Sequence, residues 1–410
     1  MFILMRIQRH TSRLSFRHPR RRRMGCVSFT FMIGVLVGLG VISWTWLERR
    51  LNLTSDANQA ASTLNVSDYM RAAREAFALG DLDAVVRAAR EALSLNPVAP
   101  DAIMMATRAL VYRSYTDYDR AVDRQSALQI ARDAARAAPD DADIQAAYAF
   151  ALNAAGQPVE AARIAERILD DKPDHTLART TVSLAYGSVG SFEIALRESI
   201  LAVQNNDPDM TIDALRALAL AHSDRGSYAE AGRAVEAALR LNDHLPVLYF
   251  EQALFNLQLG NTDAATVAYF QVLAIDPDNV KARLRLCEVS SLLREHSAAI
   301  SYCDQVTTLA PAWSEGWYRL GREYFLAGNF EAAQENLHRC SSLQIMQNVP
   351  VSERRFECWY LQGQAAEIRG DCEALVQTYN EYREMVVTAQ IEGSWTYPPE
   401  GPPCRGVGSP

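Results

Sequence analysis

Six of the seven cysteines crowd into the last third of the 410-residue sequence, at Cys287, Cys303, Cys340, Cys358, Cys372 and Cys404. The seventh is Cys26, and none lies between it and Cys287. Thiols bind zinc, carry redox chemistry or pair as disulfides, and their spacing separates these roles. Neither CxxC nor CxxCH occurs, which argues against a thiol-redox motif, a zinc knuckle and attached haem. The seven histidines (10, 18, 175, 222, 244, 296 and 338) include no i,i+4 pair that would offer two imidazoles to one metal. GxxxxGK[ST], a GxGxxG after a strand, GxSxG and HExxH are all absent. Acid pairs such as Asp140-Asp141 and Asp170-Asp171 fall at helix boundaries, where carboxylates cap N-termini or face water. These residues point away from an enzyme, and no cofactor or metal is expected.

The charge pattern divides the chain. Net charge is −8, but residues 1–50 carry +9 and residues 51–410 carry −17. An acidic bulk excludes nucleic acid as the main ligand, because phosphate binding relies on clustered Lys and Arg. From Met24 to Leu47 no residue is charged. At about 1.5 Å per residue such a helix reaches roughly 36 Å, against a hydrocarbon core of roughly 30 Å. Trp44 and Trp46 stand at its end, where indoles favour the interface. Eight Arg precede it and only Glu48, Arg49 and Arg50 follow, which places the N-terminus in the cytoplasm and the rest outside. The Arg cluster would then lie against anionic lipid. A cleaved signal peptide would need a shorter apolar stretch and a small-x-small site, but this one ends Ile42-Ser43-Trp44-Thr45-Trp46. A lipoprotein would need its Cys after the stretch, whereas Cys26 stands at the start.

Beyond residue 66 the sequence repeats. Gly80, Gly156, Gly190, Gly226, Gly260 and Gly328 recur mostly 34 or 36 residues apart, each followed by a short polar stretch and Ala. A Pro follows several of them by 17 residues, at Pro97, Pro173 and Pro277. Arg294 stands where a Gly is expected, and Pro311 again follows by 17. Two amphipathic helices of about 13 residues would flank each Gly, which permits a tight left-handed turn. The Pro ends the second helix. Ala161, Ala195, Ala231, Ala265, Ala299 and Ala333 would let the two helices approach closely. One such hairpin cannot bury its apolar faces alone, but stacked on neighbours it can.

This 34-residue pattern resembles the tetratricopeptide repeat (TPR) family. The family's large residue in the first helix matches Tyr69, Tyr249, Trp317 and Trp359, and its small residue four positions later matches Ala73, Ala149, Ala219, Ala253, Gly321 and Gly363. Nine units fall near 67–98, 99–140, 141–174, 175–209, 210–244, 245–278, 279–312, 313–346 and 354–391. The expected organisation is a basic cytoplasmic head (1–23), a transmembrane signal-anchor helix (24–47), a linker (48–66), the repeats (67–391) and a Pro/Gly-rich tail (392–410). Two intervals are long: Pro97 to Pro139 and Gly328 to Gly370 each span 42 residues. Their surpluses fall near Thr116–Asp123 and Gln344–Ser352, and the first predicts a long loop inside the second unit. Such insertions arise by drift or mark a binding edge.

The resemblance implies an all-α helix-hairpin solenoid, a superhelix preceded here by one transmembrane helix. Family members usually bind peptides or proteins in the inner groove lined by the first helices. Carried over position by position, that groove would show Met70, Arg74, Met104, Arg108, Phe150, Thr180, Leu184, Arg216, Phe250, Leu254, Leu284, Tyr318, Arg322, Tyr360 and Gln364. The Lys/Asn set that clamps acidic tails in chaperone-binding members is absent at the matching positions. Arg74, Arg108, Arg216 and Arg322 would still meet acidic groups of a partner.

The cysteines allow two readings on this frame. As disulfides suited to an extracytoplasmic domain, Cys287 would face Cys303 within one helix pair. Cys340 would then meet Cys358 on the next helix, and Cys372 would tether the tail through Cys404. Alternatively, the first three occupy small buried positions where the repeat accepts Ala, Cys or Ser.

The expectation is a bacterial single-pass membrane protein with its TPR scaffold outside the cytoplasm, recruiting envelope proteins through non-covalent contacts. The alternative is an auxiliary or assembly subunit of a membrane enzyme complex, of the translocation, envelope-biogenesis or cytochrome-maturation type. The sequence sets no oligomeric state.

Overall fold

The computed structural model describes residues 65–390, 395–397 and 401–402. The apolar 24–47 stretch and Cys404 lie outside these residues. Among the described residues no helix is long and apolar enough to cross a membrane.

Among the described residues, eighteen α-helices and one 3-10 turn follow one another, with no strand. They pair as hairpins: α1 (Val66–Ala78) with α2 (Leu82–Leu95), α3 (Pro100–Arg113) with α4 (Val122–Ala137), and α5 (Ala142–Ala154) with α6 (Pro158–Asp171). Next come α7 (Thr176–Ser188) with α8 (Phe192–Gln204), α9 (Thr211–Asp224) with α10 (Tyr228–Leu241), and α11 (Pro246–Gln258) with α12 (Thr262–Ile275). The last three are α13 (Val280–Leu292) with α14 (His296–Leu309), α15 (Ser314–Leu326) with α16 (Phe330–Met346), and α17 (Glu357–Arg369) with α18 (Cys372–Ala389).

The punctuation is local chemistry. A capping box starts α1, the Asn65 side chain accepting from the Asp68 N–H while the Asp68 carboxylate accepts from the Asn65 N–H. Pro100, Pro158 and Pro246 open α3, α6 and α11, where a missing N–H costs nothing. Arg294 takes a left-handed φ of +60° at the turn where seven of the other hairpins place Gly. The six repeat alanines are fully buried at the helix contacts. The second surplus is divided: α16 runs 17 residues, three more than most second helices, and a 3-10 turn follows at Val351–Glu353.

Side chains also bridge elements far apart in sequence, so the coil closes on itself. Asn242 donates to the Phe77 carbonyl at 2.8 Å, across 165 residues. There Gly80, at φ +72°, lies so close to the next turn of the coil that a Cβ would sit 2.1 Å from the His244 carbonyl oxygen. One repeat unit farther on, Asn279 donates to the Thr116 carbonyl at 3.0 Å. The far end is capped by the tail: Trp395 packs edge-on against Tyr379 and Tyr382 and close over Gly363, where a Cβ would meet its ring at 2.1 Å.

Candidate functional site

The expected groove residues all fall on the first helices of the hairpins. What they face is not uniform. Met70 is buried in the core, and Met104 packs against that core. Arg108 on α3 is only 3% exposed. Its guanidinium donates to both carboxylate oxygens of Asp213 on α9, at 3.2 and 2.5 Å, and stacks over Phe77 at 4.9 Å. Tyr112 donates to the same carboxylate at 2.8 Å. Arg216 donates to Glu251 Oε1 on α11 at 2.6 Å and lies over Tyr112 and Tyr115. The reading of Arg108 and Arg216 as partner-facing cations is therefore corrected: both are consumed by acids of the same chain. The closed coil brings α9 and α11 opposite α3, and a buried guanidinium stays charged only with such a partner.

The remaining positions divide further. Arg74 is exposed but paired with Asp101 at 2.9 Å. Thr180 is buried. Leu284 packs with Val306, Tyr118 and Trp313. Tyr318 is buried beneath Arg355, whose guanidinium lies 4.5 Å from its ring. Arg322 contacts Ser291 and Glu323, and lines a shallow recess with His296 and Arg319. Tyr360 meets Trp395 edge-on at 5.8 Å in the terminal cap, and Gln364 is half-buried nearby. Phe150, Leu184 and Arg216 line a cavity of about 220 Å³ between α3, α5, α7 and α9.

Phe250 and Leu254 belong to a larger cavity of about 510 Å³ between the consecutive first helices α11 and α13. Its walls are Val247, Phe250, Leu254, Leu257 and Tyr269, faced by Val289 and Leu292. Leu254 and Leu292 are 46% and 68% exposed, so an apolar surface continues out of the cavity. Four charged residues, Glu251, Lys281, Arg285 and Glu288, complete the lining with Tyr115. Lys281 donates to the Tyr115 carbonyl at 2.5 Å and lies 4.3 Å from the Phe250 ring centroid. Burial lowers its pKa to about 8, Arg285 adding to the effect while Asp117 and Glu251 oppose it. Burial likewise pushes Glu251 above the usual carboxylate range against the pull of Arg216.

The loop in the second unit is a strap across the coil, with its central residues reaching α13 and the start of α15. Asp117 accepts from the backbone N–H groups of Val280 and Lys281 at 3.4 and 3.0 Å, satisfying the N-terminus of α13 from outside its own helix. Tyr118 stacks on Trp313 at 4.3 Å. Burial raises the Asp117 pKa in spite of these bonds. Sequence reading missed Tyr115, Glu251, Lys281 and Arg285 as cavity residues. One signal was available: Lys281 is one of only two lysines in an Arg-rich chain.

The cysteine positions resolve into covalent pairs. Cys287 on α13 is bonded to Cys303 on α14, and Cys340 on α16 to Cys358 on α17. Cys372 is also disulfide-bonded, and Cys404 lies outside the described residues. Among the described residues no group of His, Cys, Asp and Glu is arranged to hold a metal ion.

Comparison with known proteins agrees with this architecture. Tetratricopeptide-repeat family models match residues 120–183 and 314–344. No curated protein matches the chain. Among solved structures, the anaphase-promoting-complex hetero-tetramer Cut9–Hcn1 is similar at 17% identity with a TM-score of 0.50. The match covers 75% of this chain and 58% of that one, so this chain spans under two thirds of its length. The C-terminal part of a TPR protein from Cytophaga hutchinsonii is similar at 12% identity with a TM-score of 0.50, covering 59% of this chain and 96% of that one. MamA from Desulfovibrio magneticus RS-1 is similar at 19% identity with a TM-score of 0.38, covering 43% and 96%. The likenesses to the first two show the fold.

Proposed function

We propose that this chain, an all-α solenoid of tetratricopeptide repeats, is a non-catalytic adaptor that holds a protein partner in the cavity between α11 and α13. TPR domains generally mediate protein–protein interactions. The observation that carries the assignment to this place is the cavity of about 510 Å³, apolar inside, with exposed Leu254 and Leu292 extending its apolar surface outward. Apolar walls with a few placed polar groups are what a partner's anchoring side chain needs.

Residues 24–47 would hold this adaptor in a bacterial membrane with the repeats outside the cytoplasm. The charge-free stretch behind eight Arg supports that topology. The disulfide-bonded cysteines of the C-terminal units support an oxidising compartment.

The test is crosslinking and affinity purification of the full chain from membranes, beside a Leu254→Glu/Leu292→Glu variant. Both residues are exposed, so the variant keeps the fold by circular dichroism. The expected outcome is a partner recovered about tenfold less with the variant. An unchanged partner set refutes the assignment. A single stoichiometric complex would identify an assembly subunit, and several weak partners a scaffold. Protease added to intact spheroplasts should degrade the repeats, and cleavage only after lysis refutes the topology.

A further inference from the structure

The charged groups lining the α11–α13 cavity are almost all engaged within the chain. Arg216 holds Glu251 Oε1, Arg285 holds Glu288 Oε2 at 2.5 Å, and Arg319 holds Glu288 Oε1 at 3.0 Å. The Lys281 ammonium is committed to the Tyr115 carbonyl. One atom is left over. Glu251 is buried, and its Oε2 has no hydrogen-bond partner. Buried polar atoms are nearly always satisfied, so this orphan oxygen, on a residue that lines an apolar cavity, is an acceptor without a donor.

The surrounding charge restricts that donor. A cationic ligand head would be repelled by Arg216, Lys281 and Arg285, which outnumber the two carboxylates around the cavity. An anionic head would meet the orphan oxygen itself. A neutral N–H donor on an otherwise apolar body escapes both penalties. The walls suit a flat body, since three rings, Phe250, Tyr269 and Tyr115, line the cavity beside the aliphatic side chains. Indole is donor-only, so it matches an acceptor-only carboxylate and brings no lone pair that needs a donor in return.

We infer that the cavity between α11 and α13 is the receptor for a tryptophan side chain of the partner, whose indole N–H donates to Glu251 Oε2. This rests on the adaptor reading above and names the chemistry of the anchor it takes. Tryptophan is among the residues most enriched as buried interface anchors.

The experiment uses the full chain in detergent with 3-methylindole and 1,3-dimethylindole, which differ only in the N–H, observed by saturation-transfer NMR. The expected result is saturable binding of 3-methylindole, about tenfold weaker binding of the N-methyl compound, and loss of both with Leu254→Glu. Equal affinity of the two compounds overturns the donor assignment. Binding that survives Leu254→Glu overturns the location. The two readings fail separately. If 3-methylindole does not bind but Leu254→Glu/Leu292→Glu still loses the partner, the tryptophan anchor falls and the adaptor stands. If 3-methylindole binds as expected but the partner set is unchanged, the adaptor falls and the cavity stands as an indole site.

Discussion

Lys281 carries a charge that its surroundings resist. Its pKa is lowered from 10.5 to about 8, chiefly by burial. Below about pH 8 both folded and unfolded chains hold the proton, and the cost of burying the charge is fully present. Between about pH 8 and 10.5 the unfolded chain binds the proton and the folded chain does not, so stability contributed by this residue rises with pH across that window. Relative to Lys281→Met, the native chain should gain up to roughly 3 kcal/mol over the window in denaturant titrations. With lysine-selective labelling only Lys172 and Lys281 give signals, and one should titrate near pH 8. A spectrum in which neither moves below about pH 9 refutes it. Arg108 and Arg216 carry a complementary lesson. Helical register put both on one face of the first helices, because a 3.6-residue period assigns faces from sequence alone, and both are buried. It could not tell that Asp213 and Glu251, 105 and 35 residues away, stand opposite them.

Among the elements, the strap between α3 and α4 has the clearest consequence. Its existence was legible as eight surplus residues between Pro97 and Pro139. Its destination was not, since Asp117 and Tyr118 dock on residues more than 160 positions later. Offset or tilted aromatic pairs contribute about 0.5–1.5 kcal/mol beyond their burial. A double-mutant cycle of Tyr118→Ala and Trp313→Ala should therefore show coupling of about 1 kcal/mol in chemical denaturation. Additive losses would mean that the strap lies on the surface without holding it. The other surplus, near Gln344–Ser352, reads the same in sequence but becomes three further residues of α16 and a short turn. Interval counting cannot show how a surplus divides between a lengthened helix and the turn that follows it.

For the whole molecule, stability should be local wherever units touch only their neighbours. The disulfides close segments of 16 and 18 residues in the C-terminal units, each worth about 3 kcal/mol in the chain-entropy account. Replacing Cys340 and Cys358 by Ser should therefore accelerate amide exchange in α16 and α17 while α5 to α8 keep their protection. Uniform acceleration along the chain would show that the coil opens as one body.

The recurring Gly, Ala and Pro determined by themselves that the chain folds into stacked helix pairs, because each marker acts within its own turn or contact: Gly by its left-handed φ, Ala by its size, Pro by its missing N–H. Register then chose the inward faces. Only the tertiary structure decided which inward residues remain open to a partner. That depends on how the small rotation between units accumulates until Gly80 meets His244 and Thr116 meets Asn279. No local pattern encodes this sum, so Arg108 and Arg216 became internal ion pairs while Phe250 and Leu254 came to line a cavity.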